Sequence, residues 1–231
     1  MTKLDYKEEA LLIGDYKIYQ SPHLYRFTSD AVILSRFAPE GQKAVIDLCS
    51  GSGIVGLHYF ALNDESVERV TLCEIQKDLA EMSEASVKLN GLEDKFVVLN
   101  KPLQELEERE VYDLVLCNPP YKKRGSGFPV KNEHLAICRS EVAVTLDEIV
   151  LMASKLLKRK GVLCMCNAVD RLEETFAVFS AHGLSASRLC FVSAKEGENP
   201  YLFLIEGVKG IKKTLTVENQ KINNARNFAG E

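Results

Sequence analysis

The strongest constraint on the fold is an alternation of short apolar runs with helical periodicity that begins near residue 44. Each apolar run has the length of a buried strand, and segments with apolar residues at helical spacing lie between several of these runs. This alternation is typical of parallel strands joined by helices that cover the sheet. The predicted strands are 44–48, 70–74, 96–99, 112–117 and 161–166, and the predicted helices are 54–63, 76–90, 145–160 and 170–182.

Two further apolar runs, 187–192 and 201–207, flank a Gly-containing loop and predict an antiparallel hairpin. The expected fold is therefore α/β and Rossmann-like, a seven-stranded, mostly parallel sheet with a C-terminal antiparallel hairpin and helices on both faces. Residues 41–210 form the predicted domain, and with 46% hydrophobic residues in a chain of 231 a single core is sufficient. Residues 1–40, with a helix over 30–37, form an N-terminal extension expected to pack on the cofactor side. Residues 211–231 form a polar tail that we expect to fray.

Composition excludes several classes of protein. The 33 acidic and 29 basic residues give a net charge of -4, so any RNA contact must be local. The seven cysteines include no Cys-x-x-Cys pair and lie mostly in apolar runs, which predicts buried thiols, no metal and a reducing cytoplasm. The charged N-terminus does not resemble a signal peptide, and no apolar run has the length of a membrane span, so a soluble cytoplasmic protein is expected.

A glycine-rich segment follows the first core strand and predicts a ligand site. Gly51, Gly53 and Gly56 satisfy G-x-G-x-x-G, with Glu74 at the end of the next strand, so a dinucleotide-binding oxidoreductase is one interpretation. Asp47, however, lies at the strand end four residues before the first glycine, where an acid disfavours a pyrophosphate and suits a cationic ligand. S-adenosylmethionine carries a sulfonium and an ammonium group, and Glu74 is placed to accept its ribose hydroxyls. A glycine-rich packing turn with a surface glutamate is the alternative without a ligand.

A second motif, Asn118-Pro119-Pro120-Tyr121, directly follows the apolar run 112–117. The two prolines stop the strand and lack backbone donors, which leaves the Asn118 amide and nearby carbonyls as acceptors for an exocyclic amino group. Tyr121 adds a flat face on which an unstacked base can lie. Taken alone, four residues of this kind would more often be a proline-rich turn with a surface tyrosine than a reactive site.

Together these motifs resemble the class I, S-adenosylmethionine-dependent amino methyltransferases with an N-P-P-Y signature. Additional segments resemble the bacterial tRNA (adenine-N6)-methyltransferase family, which modifies the adenine at position 37 of a valine tRNA. The resemblance covers roughly residues 10–208, and the additional segments are 27–34, 125–127, 137–141, 156–161 and 171–172. It implies a monomeric enzyme that takes S-adenosylmethionine and tRNA.

The resemblance also assigns roles to individual residues. Asn118, Pro119, Pro120 and Tyr121 are the implied catalytic residues, and the implied cofactor-binding residues are Asp47, Cys49, Gly51, Gly53, Glu74, Ile75, Leu103, Ser29 and Asp30. Ser29 and Asp30 belong to a helix start that either faces the methionine carboxylate or is an ordinary N-cap. One departure is Pro102, which stands where the family usually has an aspartate for the cofactor adenine, so weaker cofactor binding is expected.

A basic loop follows the tetrapeptide and is either an RNA contact or a solvated surface. Its predicted phosphate-binding residues are Lys122, Lys123, Arg124 and Lys131. Related enzymes methylate a protein glutamine, DNA adenine or rRNA guanine, but the first two usually carry an extra domain, and the guanine enzymes tend to have Phe at the position of Tyr121. A non-catalytic RNA-binding scaffold that has lost cofactor affinity is the remaining alternative.

Overall fold

The computed structural model describes residues 5–11, 13–24, 28–121 and 143–223. Five α-helices occur in these residues: α1 Ser29–Phe37, α2 Ile54–Asn63, α3 Lys77–Leu89, α4 Leu146–Leu156 and α5 Leu172–Ala181. The strands are β1 Lys7–Ala10, β2 Lys17–Gln20, β3 Ala44–Leu48, β4 Arg69–Cys73, β5 Phe96–Leu99, β6 Tyr112–Cys117, β7 Leu157–Ala168, β8 Leu184–Ser193, β9 Leu202–Lys209, β10 Thr216–Val217 and β11 Lys221–Ile222. Short 3-10 helices span Leu103–Glu105 and Val169–Arg171.

The main sheet has the order β10-β8-β9-β7-β6-β3-β4-β5, with β11 also paired to β8. Strands β5, β4, β3, β6 and β7 are parallel, and β9 pairs antiparallel with both β7 and β8. The seven predicted strands and the antiparallel hairpin are therefore confirmed. Among the described residues the sheet gains two short strands, β10 and β11, which sequence analysis did not predict.

Strand alternation divides the apolar core between the two faces of the sheet. Leu114, Leu116 and Cys166 point to the face covered by α1 and α2, whereas Val115 and Met165 point to the face covered by α4 and α5. Helices therefore pack on both faces, as predicted, and the central strands are buried on both sides.

The described part of the C-terminal tail, residues 211–223, does not fray, which corrects the prediction for these residues. Up to Asn223 it pairs with β8, where the N–H of Glu218 donates to the carbonyl of Leu189 at 2.8 Å. The Arg188 guanidinium pairs with the carboxylates of Glu206 and Glu218 and lies 4.3 Å from the centre of the Phe37 ring. These contacts cover part of β8, which would otherwise be an open edge of the sheet.

The N-terminal residues form an antiparallel hairpin, β1 and β2, which sequence analysis missed. It packs on α3, where the N–H of Tyr19 donates to Ser86 Oγ at 2.9 Å and the N–H of Lys17 donates to Asn90 Oδ1 at 2.8 Å. The hairpin therefore covers the helix that follows Glu74. The division of the chain at residues 40 and 210 stays a prediction.

Two predicted helices have different boundaries. The helix predicted over 145–160 ends at Leu156, and the basic residues that follow belong to β7, where Lys158 pairs with Asp113 at 2.7 Å. The helix predicted over 170–182 begins at Leu172 and ends at Ala181. Its N-cap is Arg171, a buried residue whose guanidinium pairs with Glu174 and whose carbonyl accepts from Thr175 Oγ1.

A capping box closes the N-terminus of α4 and gives a stability test. Thr145 Oγ1 accepts from the N–H of Glu148, and the Glu148 carboxylate accepts from the N–H of Thr145 at 2.8 Å. We expect Thr145→Ala to lower the free energy of unfolding by about 1 kcal/mol, because a helix N-terminal donor loses its partner. Thr145→Ser keeps the hydroxyl and should stay within about 0.5 kcal/mol of the parent in urea denaturation. Equal losses in both variants would contradict the role of the cap.

Candidate active site at the carboxyl edge of the sheet

The register of the parallel strands brings the predicted site residues to one edge. Leu48 is paired with Cys73 on one side and with Cys117 on the other, and Cys117 is paired with Met165. The next residue of each strand therefore lies at the same edge. These residues are Cys49, Glu74, Asn118 and Cys166.

The segment between β3 and α2, residues 49–53, is a tight loop that only small residues allow. Cys49, Gly51 and Gly53 have φ angles of 57°, 56° and 80°, in the left-handed region. A Cβ at Gly53 would lie 2.8 Å from Leu72 Cδ1, whereas a Cβ at Gly51 would meet no atom within 4 Å. Gly53 therefore serves close packing, and Gly51 faces open space through which a ligand can approach the backbone.

Glu74 fixes this loop from the neighbouring strand. Its Oε2 accepts from the N–H of Gly51 at 2.8 Å, and its Oε1 accepts from the N–H of Gln76 at 2.9 Å. Burial raises the pKa of Glu74, and the two N–H groups oppose that shift. The carboxylate is thus held next to the loop and to α3, and its role toward a ribose stays a prediction.

Ile75 and residue 100 complete the edge beyond Glu74. The Ile75 side chain is 43% exposed, which is high for an apolar residue at a strand end. Asn100 Nδ2 donates to the carbonyls of Glu74 and Ile75 at 2.9 and 3.1 Å, so it holds their backbone. Pro102 is the N-cap of the 3-10 helix that starts at the buried Leu103.

Asp47 lies beneath the glycine loop, fully buried on the sheet face that packs against α2. Its Oδ2 accepts from the N–H of Gly56 at 3.0 Å, whereas its Oδ1 has no partner. Burial, with a smaller effect of the Glu74 charge, raises the pKa of Asp47 from 3.8 to about 8. A cationic ligand near this oxygen would favour the ionised form.

Asn118 is the centre of a three-residue cluster that also contains Tyr121 and Cys166. Its Oδ1 accepts from the Tyr121 hydroxyl at 2.5 Å and from the Cys166 thiol at 3.0 Å, and the hydroxyl lies 3.3 Å from the sulfur. Pro119 and Pro120 are buried, and the Tyr121 ring packs partly against the core. Sequence analysis treated Cys166 as a filler of the core. Its position in β7 one residue beyond Met165, which is paired with the last residue of β6, was the signal that could have identified it.

Ser29 and Asp30 form the first turn of α1. Asp30 is buried, and its Oδ1 accepts from the Tyr201 hydroxyl at 2.7 Å and from Asn223 Nδ2 at 3.2 Å. This carboxylate joins α1 to the loop between β8 and β9 and to the tail, a contact that sequence analysis missed. Ser29 is partly exposed, and its predicted contact with a cofactor stays untested.

The predicted phosphate-binding residues lie outside the described residues. These are Lys122, Lys123, Arg124 and Lys131. In the described part of the chain, no group of three or more His, Cys, Asp or Glu side chains is arranged to hold a metal ion. None of the described helices is both long and apolar enough to cross a bilayer.

Residues 28–176 match the model of a protein family described as the methyltransferase small domain. The chain belongs to this family. The match includes the glycine loop, Glu74 and the Asn118 tetrapeptide, and it confirms the prediction of a methyltransferase.

Curated relatives agree with this assignment. A protein of Tolumonas auensis named tRNA1(Val) (adenine(37)-N6)-methyltransferase is 27% identical over 180 residues, covering 77% of this chain and 73% of the relative. A Porphyromonas gingivalis protein with the same name is 26% identical over 201 residues, covering 83% of this chain and 77% of the relative.

Solved structures show the same fold. A predicted O-methyltransferase from Agrobacterium tumefaciens superimposes with a TM-score of 0.65 at 20% identity, covering 84% of this chain and 86% of that one. A putative RNA methyltransferase from Pyrococcus horikoshii superimposes with a TM-score of 0.59 at 18% identity, covering 91% of this chain and 94% of that one. The Rossmann-like methyltransferase fold is therefore confirmed.

The buried Asp47 predicts an unusual pH dependence of stability. Because its pKa is raised in the folded state, the unfolded chain releases a proton that the folded protein keeps, and stability falls as the pH rises from about 4 to about 8. Asp47→Asn cannot ionise, so its free energy of unfolding relative to the wild type should increase by at least about 1 kcal/mol between pH 5 and pH 8. Urea denaturation of both proteins across this range, without ligand, measures the difference. Parallel pH profiles would contradict the raised pKa.

Proposed function

We propose that this protein transfers a methyl group from S-adenosylmethionine to the exocyclic N6 amine of an adenine in tRNA, at position 37 of a valine tRNA. The observation that carries the proposal is the Asn118 amide oxygen, which lies at the sheet edge beside the glycine loop and Glu74. The names of the curated relatives support the choice of tRNA and of adenine.

The residues at this edge fit S-adenosylmethionine. Two buried polar atoms, Asp47 Oδ1 and Ser50 Oγ, have no partner, and the space above Gly51 is open. Unpartnered buried polar groups in a folded protein are uncommon and are costly unless another group satisfies them. Asp47 and Gly51 would hold the methionine part, whereas Glu74 and the exposed Ile75 would hold the nucleoside. When bound, the cofactor supplies an electrophilic methyl group and leaves as a neutral thioether.

The protein's own contribution is to orient a weak nucleophile. The N6 lone pair of adenine is delocalised into the ring, and acceptors for both amine hydrogens favour a pyramidal nitrogen. Asn118 Oδ1 and the carbonyl of Pro119 would supply these acceptors. The ring of Tyr121 would stack on the adenine once the base is unstacked from the adjacent bases of the RNA.

Neither Cys166 nor Cys117 offers a thiolate base next to this amine. Burial raises the pKa of the Cys166 and Cys117 thiols, so both stay protonated at neutral pH. The proton of the amine can instead leave after methyl transfer, because the methylated nitrogen is then strongly acidic. The pH dependence of transfer should therefore not follow a cysteine.

The decisive experiment identifies the methylated product. In separate reactions, the protein is incubated with radiolabelled S-adenosylmethionine and one of four substrates: unmodified tRNA, rRNA, DNA or protein. The substrate that becomes labelled is then digested to its monomers. N6-methyladenosine from valine tRNA is the expected product. Label in a protein glutamine, in rRNA guanine or in DNA adenine would replace this proposal, and failure of the protein to bind S-adenosylmethionine would favour a scaffold.

Substitution of Asn118 separates chemistry from cofactor binding. We expect Asn118→Ala to lower the rate of methyl transfer at least about 100-fold, because the amine loses a preorganised acceptor. The affinity for S-adenosylmethionine, measured by calorimetric titration, should change less than about threefold, since Asn118 is assigned to the amine. Wild-type transfer by Asn118→Ala would show that the tetrapeptide is only a turn.

Charge reversal in the basic loop tests the RNA contact. Changing Lys122, Lys123 and Arg124 to Glu should raise the KM for tRNA and flatten its salt dependence, because phosphate contacts release counterions. Lys155, Arg159 and Lys160 supply a control with the same change in charge, since they are exposed at the end of α4 and the start of β7, at the opposite edge of the sheet. Their reversal should leave the KM nearly unchanged. Equal effects at both edges would indicate bulk charge instead of a loop contact.

A further inference from the structure

The Asn118 carboxamide oxygen already has its full set of donors. A carboxamide oxygen has two acceptor lone pairs. In this structure Asn118 Oδ1 accepts from the Tyr121 hydroxyl at 2.5 Å and from the Cys166 thiol at 3.0 Å. An incoming amine that needs this oxygen must therefore replace one of the two donors.

The two donors differ in how freely they can leave. Tyr121 lies beyond the end of β6 and is only partly buried. Cys166 is fully buried inside β7, between β6 and β9, where it is paired with Leu204. Rotation of the thiol away from Asn118 would have to take place inside a fully packed part of the core, whereas the Tyr121 side chain is only partly buried and has more room to rotate.

We propose that Cys166 is a positioning residue for Asn118: its thiol keeps Oδ1 oriented toward the substrate while the amine takes the place of the Tyr121 hydroxyl. This inference rests on the proposed function, in which Asn118 Oδ1 accepts from the amine. Cys166 does not touch the reacting atoms. Without it, the carboxamide can rotate and present its NH₂ group, a donor, to the amine.

The chemistry of the thiol suits this role. Burial raises the pKa of Cys166, so the sulfur keeps the proton that it donates to Asn118. The sulfur also lies 3.3 Å from the Tyr121 oxygen, a contact in which either atom can be the donor. A serine at this position would also donate, and an alanine would not.

The chain contains a matched control for the experiment. Cys164 lies two residues earlier in β7, on the same face of the sheet, and is also fully buried in the same apolar cluster. Alanine at either position removes one buried sulfur, but only position 166 contacts Asn118. The comparison of Cys166→Ala with Cys164→Ala therefore separates the hydrogen bond from the cavity.

The first readout is kinetic. We expect Cys166→Ala to lower kcat for tRNA methylation roughly 3- to 10-fold, the effect of one weak hydrogen bond, with little change in the affinity for S-adenosylmethionine. Cys166→Ser should recover most of kcat, and Cys164→Ala should keep the wild-type value. Equal kcat values for the two alanine variants, or a serine variant as slow as alanine, would overturn the proposal.

The second readout needs no RNA and keeps the two proposals apart. The side-chain NH₂ signals of Asn118 in ¹H–¹⁵N spectra of the free protein, assigned with Asn118→Ala, should shift in Cys166→Ala and stay in place in Cys164→Ala. If these shifts occur and tRNA is not methylated, the proposed function is wrong, but the hydrogen bond by which Cys166 orients Asn118 is confirmed. If tRNA is methylated and the signals do not move, Cys166 has no positioning role.

Discussion

The in-register parallel pairing of β3 with β4 and β6 is the constraint on which the site depends. Leu48 is paired with both Cys73 and Cys117, so the glycine loop, Glu74 and Asn118 begin at the same level of the sheet. Side chains alternate along a strand, and a slip of one residue would send the apolar side chains of β3 or β6 to the wrong face. The burial of Val115 on one face and Leu116 on the other therefore fixes the position of the active edge as well as the core.

The close packing of α2 on the sheet also buries a carboxyl group below the glycine loop, and this burial is energetically unfavourable. Helix α2 comes so close to the sheet that a Cβ at Gly56 would lie 2.5 Å from Leu72 Cδ2, and the N–H of Gly56 reaches the Asp47 carboxylate. The other oxygen of that carboxylate is buried without a partner, which disfavours its charge. The buried Asp47 therefore lowers the stability of the unliganded protein, and a cationic group near its free oxygen would offset this loss. Such perturbed titratable groups are frequent at binding sites.

The sequence predicted the elements whose pattern is local and missed those that depend on distant partners. Helix 54–63 and strand 112–117 have the predicted bounds, because each is a mostly apolar segment that is followed by polar residues or prolines. The tail strands are only two residues long and form against the edge of β8, where Arg188 also pairs with Glu218. Similarly, Cys166 donates to Asn118 and Tyr201 donates to Asp30, and the members of each pair lie far apart in the sequence. No sequence spacing predicts such contacts. The predicted roles of the cofactor residues rest on the resemblance and stay predictions.

The saturated acceptor on Asn118 changes how selectivity can arise in the proposed reaction. In the free protein the Tyr121 hydroxyl satisfies Oδ1, so a substrate gains only the difference between its own hydrogen bond and the one that it replaces. A group with no N–H, such as a carbonyl, would displace the hydroxyl and leave Oδ1 with the thiol alone. An amine with two hydrogens can donate to Oδ1 and to the Pro119 carbonyl, whereas the methylated product has one hydrogen left and must give up one of these bonds. The Tyr121 hydroxyl therefore competes more effectively for Oδ1 against the methylated product than against the substrate, which favours release of the product.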